Sequence, residues 1–281
     1  MTDEPTGSTT IRGRTVAFNE YGDPEGEPLV FLHGTPGSRL LGGLFDDTAR
    51  RAGYRLIAPD RPGYGRSTSW PTRKLTDGGT IVAGILDACG VADARLVGFS
   101  GGGPHALAAA ATRSNRVREV HIVSGATPPE MGETVATQQR LATLARRTPR
   151  LLGGLFRTQG WIANRWPNTV VSQFTTDPQE IPNTDAHLVA DDFIEAVDRG
   201  ASGAVAESRL LANPWTFDLA DVDVATRLWH GTQDENIPVD GVRELYESLS
   251  DANLTVHDTD HLTTLLAYRD SLAESGTRDR T

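Results

Sequence analysis

Short apolar runs of strand length recur along this chain, and stretches with helical spacing separate them. That alternation narrows the possible folds more than any other feature. PLVFLHG (28–34), YRLIAPD (54–60), ARLVGFS (94–100), VREVHIVSG (117–125), ATRLWHG (225–231) and NLTVHDTD (253–260) each have strand length, and several end in turn residues. Helical patterns fall at about 39–52, 77–89, 102–113, 240–250 and 262–274. Strands joined through helices imply an α/β fold: a mostly parallel, twisted sheet with helices on both faces. At the start, TTIRGRTVAFNEYG (9–22) alternates and reads as two strands joined at Arg12-Gly13. No internal repeat is visible.

The interval from Gly125 to Ala225 is too long for a single crossover. It reads as helices broken at Pro149, Pro167, Pro182 and Pro214, inserted over the C-terminal ends of the strands. The expected organisation is a disordered tail at 1–8, a core at 9–127 and 215–281, and a helical cap at 128–214. Residues 138–166 of the cap hold six arginines and no acid, whereas Asp177 to Glu207 is acidic. Two readings lead, ahead of a weaker one in which the segment is a membrane-surface helix. In one, complementary faces pack on each other or on the core. In the other, a mobile lid has an apolar underside of Leu144, Leu151, Leu155, Phe156 and Trp161.

One junction in the core carries chemistry. LVGFSGGGPHALAAAA (96–111) passes from an apolar strand through glycines into a helix-forming run. Gly98-Phe99-Ser100-Gly101-Gly102 fits G-x-S-x-G, a tight turn that projects the serine hydroxyl above the sheet. Gly98 and Gly102 leave room where strand and helix approach each other. The helix N-terminus places partial positive charge where an oxyanion would form. The plain alternative is a glycine-rich strand-to-helix turn with no chemistry.

A nucleophilic serine needs a base and an orienting acid. The seven histidines are His33, His105, His121, His187, His230, His257 and His261. His261, in DTDHLTTLL, falls just after the last strand, on the loop to the final helix and at the edge to which Ser100 points. His257 falls within that strand and is expected to pack. Asp234, in LWHGTQDENIPV, lies in the loop after the preceding strand, with Glu235 beside it expected to point away. A turn-forming role ahead of Pro238 is the alternative for Asp234. Two main-chain donors complete the set: Gly101 N–H, next to the serine, and Thr35 N–H in HGTPGSR (33–39), since Pro36 has none.

Composition excludes several classes. Among 281 residues the formal net charge is −10, with Lys74 the sole lysine against 26 arginines. Phosphate would repel such a surface, so nucleic acid is not an expected partner. An acidic, lysine-poor surface also fits a high-salt cytoplasm, although a GC-rich genome accounts for the arginines equally well. Cys89 is the single cysteine and reads as a small core residue, so no disulfide or thiolate cluster is expected. No run approaches a membrane span and the N-terminus does not read as a signal peptide. A cytoplasmic protein without stable membrane insertion is therefore expected.

Together HGTPGS, DRPGYGRS (60–67), GFSGGG, GTQDENIP and Asp260-His261 resemble the α/β-hydrolase superfamily over about 9–127 and 215–281. The order Ser100, Asp234, His261 matches that superfamily's triad. The serine at position 100 disfavours the branches with an aspartate nucleophile. The HGxPG loop is similar to that of proline iminopeptidases, but Gly101 stands where these usually carry tryptophan. Asp260 replaces a common glycine before the histidine and ranks below Asp234 as the acid. The resemblance implies hydrolysis of ester or lactone bonds in small to medium apolar molecules, with no metal or organic cofactor. Amide, carbon–carbon or perhydrolytic chemistry, and a non-catalytic ligand-binding role, are the alternatives.

Overall fold

The alternating N-terminal stretch pairs as a hairpin. In the computed structural model, which describes residues 4–133 and 135–278 and side chains as far as residue 273, β1 (Gly7–Ile11) lies antiparallel to β2 (Arg14–Gly22). The intervening Arg12 and Gly13 both adopt positive φ. β1 therefore begins inside the stretch 1–8 expected to be a disordered tail. The Thr6 amide donates to Asn19 Oδ1 at 3.2 Å and Gly7 pairs with Phe18, which extends the ladder into that stretch. Residues 1–3 of that stretch lie outside the described residues.

The remaining strands are β3 (Glu27–Leu32), β4 (Tyr54–Pro59), β5 (Ala94–Phe99), β6 (Val117–Val123), β7 (Thr226–Gly231) and β8 (Ala252–His257). They form one eight-stranded sheet in the order β1-β2-β4-β3-β5-β6-β7-β8. β2 meets β4 antiparallel, and every pair from β4 to β8 is parallel. In β5, Leu96, Val97 and Phe99 are all buried, as a central strand covered on both faces requires.

A 3₁₀ turn at Arg39–Phe45 leads into α1 (Asp46–Ala52); α2 (Asp77–Ala88) and α3 (Gly103–Thr112) follow. The inserted segment between β6 and β7 holds α4 (Ala136–Arg147), α5 (Pro149–Arg165), α6 (Asn168–Val171), α7 (Asn183–Asp198) and α8 (Ser202–Leu210). The core closes with α9 (Val239–Glu247) and α10 (His261–Arg278). Phe31, Phe45, Leu265 and Tyr268 form part of the core on one face, and Ile81, Ile85, Leu107 and Leu245 part of it on the other.

Topology fixes where a site can form. From β3 the chain goes to β4 on one side and then to β5 on the other, leaving a crevice at the carboxyl ends of β3 and β5. Leu32 is in register with Gly98, so the turns after these two strands emerge side by side.

One expectation about the insertion changes. α5 buries Leu152, Phe156, Gly160 and Ala163, a helical stripe that rotates Leu151, Leu155 and Trp161 out to solvent. Of the residues expected on an apolar underside, Phe156 is buried and Leu144 half-buried. The acidic half meets arginines of the core: Glu195 of α7 lies 2.6 Å from Arg39 and 3.1 Å from Arg66. Cys89 is half-buried at the C-cap of α2 rather than deep in the core, and burial pushes its thiol up to about 11.

Candidate active site

Ser100 follows β5 directly and opens a one-turn 3₁₀ helix that runs into α3. Its φ is +51°, in the left-handed region that a non-glycine residue occupies only when the surroundings impose it. The imposition is steric. A Cβ at Gly98 would lie 2.7 Å from Gly103 Cα, and one at Gly102 would lie 2.0 Å from the Leu32 carbonyl oxygen. Strand, turn and helix are pressed together, and Ser100 is presented on the wall of a cavity of about 360 Å³. Thr35, Gly101, Leu141, Arg146, Leu211 and Ile237 share that wall. A second cavity, of about 20 Å³, also touches Ser100 and Thr35, and is closed by Leu41, Phe174, Val189 and Phe193.

Asp234 and His261 meet directly. The His261 Nδ1–Asp234 Oδ2 distance is 2.7 Å, and both residues are buried. Asp234 Oδ1 accepts the Asn236 and Ile237 amides at 2.9 Å each, which locks the carboxylate in the loop after β7. Burial would raise the Asp234 carboxyl, but the His261 ring and the Ile237 amide outweigh it and hold the group below the usual Asp value. A carboxylate on Nδ1 selects the tautomer with a proton there, leaving Nε2 as the acceptor. His261 is the first residue of α10 rather than part of a loop before it. Its ring lies 5.0 Å from the Phe99 ring and stacks on Phe174 at 6.1 Å. Phe99 thus bridges the imidazole to the turn that carries Ser100. Among the described residues no hydrogen bond joins the Ser100 hydroxyl to His261.

Asp260, next in sequence to His261, does different work. Its Oδ1 accepts the Thr263 amide at 2.9 Å while Thr263 Oγ1 accepts the Asp260 amide at 2.9 Å, a reciprocal cap on α10. Its Oδ2 takes Thr175 Oγ1 at 2.7 Å and the Thr176 amide at 2.9 Å, tying the insertion to the start of α10. Glu235 is exposed, as expected. His257 ends β8 half-buried, its ring stacked 5.0 Å from Trp229.

The loop after β3 is gripped from behind. Arg61 donates through Nη1 to the His33 carbonyl, and through Nη2 to the Gly34 carbonyl at 3.0 Å and to Thr35 Oγ1 at 2.9 Å. Thr35 Oγ1 donates to Glu207 Oε2 at 2.6 Å. A Cβ at Gly101 would fall 2.2 Å from that hydroxyl, so the two expected donor residues are in mutual contact. Sequence reasoning missed Glu207, Phe174 and His230. His230 lies under Asp234, its Nε2 donating to the Ile237 carbonyl at 2.8 Å, and burial lowers its pKa. A histidine at the end of a strand gave a weak hint of that. Nothing local marks Glu207 or Phe174.

This is an open α/β architecture with its site in the crevice above the strand ends, and the comparisons place it further. The chain belongs to the alpha/beta hydrolase fold family, which it matches over residues 27–267. It is 29% identical over 269 residues to a non-heme chloroperoxidase of Streptomyces lividans, covering 89% of this chain and 90% of that one. It is 36% identical over 126 residues to a 2-hydroxy-6-oxononadienedioate/2-hydroxy-6-oxononatrienedioate hydrolase of Paraburkholderia phymatum. That match covers 43% of this chain and 42% of the relative, so it spans less than half of the relative's length. An esterase from Exiguobacterium antarcticum has the same fold, with a TM-score of 0.76, 19% identity and coverage of 98% and 100%. Among the described residues no helix is long and apolar enough to cross a membrane.

Proposed function

We propose that the protein is a serine hydrolase that cleaves carboxylic ester or lactone bonds of small to medium apolar substrates. The observation that carries this reading is the buried Asp234–His261 pair at 2.7 Å, at the same strand-end crevice as a serine held at φ +51°. His261 Nε2 takes the Ser100 proton as the oxygen attacks the carbonyl carbon. Asp234 holds the tautomer and stabilises the imidazolium. The Thr35 and Gly101 amides receive the negative charge of the tetrahedral intermediate. The imidazolium then protonates the leaving alcohol, and water, activated by the same ring, releases the acid.

The two cavities limit the substrate. About 360 Å³ accommodates a medium-sized group, while about 20 Å³ takes little more than a methyl or a water. One of the two substituents on the reacting carbonyl is therefore small. The full-length similarity to a non-heme chloroperoxidase favours one second reading, in which hydrogen peroxide replaces water at the acyl-enzyme.

Turnover of a p-nitrophenyl ester panel by wild type and Ser100→Ala tests the proposal. Hydrolysis that disappears in the variant supports it, and equal turnover by both proteins overturns it. Peracid formation from acetate and peroxide would favour the second reading.

A further inference from the structure

Glu207 belongs to α8 of the insertion, yet it is fully buried in the core beneath the loop after β3. Its Oε1 accepts Arg61 Nε at 3.0 Å, Arg73 Nη2 at 2.9 Å and His105 Nε2 at 2.9 Å. Its Oε2 accepts Arg61 Nη2 at 2.5 Å, Tyr64 Oη at 3.2 Å and Thr35 Oγ1 at 2.6 Å. Burial would raise this carboxyl, but Arg61, His105 and Arg73 hold it well below the usual Glu value, so it is an anion. Burial lowers the His105 pKa, and its Nε2 donates to the same carboxylate.

We propose that Glu207 is a positioning residue for the oxyanion-stabilising loop: its carboxylate anchors the Thr35 side chain and, through Arg61, the carbonyls of His33 and Gly34, so that the Thr35 amide faces the carbonyl oxygen bound at Ser100. The proposal rests on the serine-hydrolase reading. Within this cluster Thr35 belongs to the loop itself and Arg61 holds that loop's carbonyls, while Tyr64, Arg73 and His105 fix the carboxylate from the segment after β4 and from α3. Thr35 Oγ1 sends its proton to Glu207 and accepts from Arg61, which fixes the side chain's rotamer. On its other side that oxygen abuts Gly101, the neighbour that supplies the second amide. A short chain of contacts therefore links Glu207 to the spacing of both donors. The insertion grips the same loop a second time: Asp192 Oδ1 accepts the Ser38 amide at 2.6 Å and the Leu41 amide at 3.2 Å. Donor placement matters because main-chain amides stabilise an oxyanion only when they are held where the charge appears.

Glu207→Ala leaves two buried guanidiniums without their shared carboxylate and risks unfolding the chain. Thr35→Val is the cleaner variant, because it removes only the hydroxyl link and keeps the Thr35 N–H. With a p-nitrophenyl ester, kcat of Thr35→Val is expected to fall about tenfold or more, within the range of a weakened oxyanion donor, with KM nearly unchanged. Thr35→Ser is expected to restore it, and Glu207→Gln, if folded, to lower kcat in the same way. A purely structural role lowers the melting temperature and leaves kcat of the folded protein intact. Fluorophosphonate labelling of wild type at Ser100 is the control. Labelled Ser100 together with an undiminished kcat in Thr35→Val overturns the inference alone. A wild type unlabelled at Ser100 overturns the serine-hydrolase reading and the inference with it.

Discussion

Asp234 Oδ2 lies 2.7 Å from His261 Nδ1, whereas Asp260, one residue from that histidine, directs both oxygens to Thr175, Thr176 and Thr263. Two carboxylates near one imidazole thus have separable tasks, and substitution should part them. Asp234→Asn keeps the shape but favours the wrong tautomer, and kcat should drop by on the order of 10³–10⁴. Asp260→Ala loses a helix cap and the tie to the insertion, and should cost about 2–3 kcal/mol. Steady-state kinetics beside thermal melting would show the two losses on different axes.

Gly101 is fixed by its neighbour. An added Cβ would meet Thr35 Oγ1 at 2.2 Å, so Gly101→Ala must push the two proposed donor residues apart. A loss of about 10²–10³ in kcat is expected, the scale of one lost oxyanion donor. Stopped-flow acylation rates check it.

The small cavity beside Ser100 should set chain-length preference. Among p-nitrophenyl esters, acetate should exceed octanoate in kcat/KM, unless the acyl group occupies the large cavity. In that case a series varying the alcohol should show the same discrimination. Val189 is buried on the small cavity's wall, and Val189→Ala should extend the tolerated chain by about one or two carbons. Indifference of wild type to both series would contradict this assignment.

Asp192 predicts a pH dependence of stability. Burial outweighs the bonds from Ser38 and Leu41 and pushes its carboxyl up to about 7, against 3.8 for an ordinary Asp. The folded value exceeds the unfolded one, so this group's contribution is complete below 3.8 and is lost as pH rises to about 7. Glu207 and Asp234 are depressed, and their contributions are lost only on acidification below the ordinary carboxylate range. Asp192→Asn should therefore flatten the fall in melting temperature between about pH 5 and about pH 7.

The net charge of −10 predicts a response to salt. Raising ionic strength from about 0.1 M to about 1 M shortens the screening length from about 10 Å to about 3 Å and should raise the melting temperature. A melting temperature indifferent to salt would remove the high-salt reading.

The sheet was legible because its strands are short apolar runs with turns at their ends. β3 to β7 fall within two residues of the runs read from sequence, β8 ends three residues short of its run, and the hairpin turns at Arg12-Gly13 as expected. The Ser100 turn was legible because its glycines have a steric cause that composition exposes. The orientation of α5 was not: Leu151 and Leu155 are spaced like a buried stripe, and only contact with the core chooses Leu152 and Phe156 instead. Nor were Glu207, Asp192 and Glu195, since charged residues in an acidic helix read as solvated. Their arginine partners and backbone donors stand over 120 residues away, beyond any local pattern.

The most direct measurement is the site of covalent modification after brief exposure to a fluorophosphonate, read by intact mass and peptide mapping. The account predicts a single adduct on Ser100 in wild type, and much slower labelling in His261→Gln. A wild type that remains unmodified at Ser100 while another residue reacts, or labelling undiminished without His261, would contradict it.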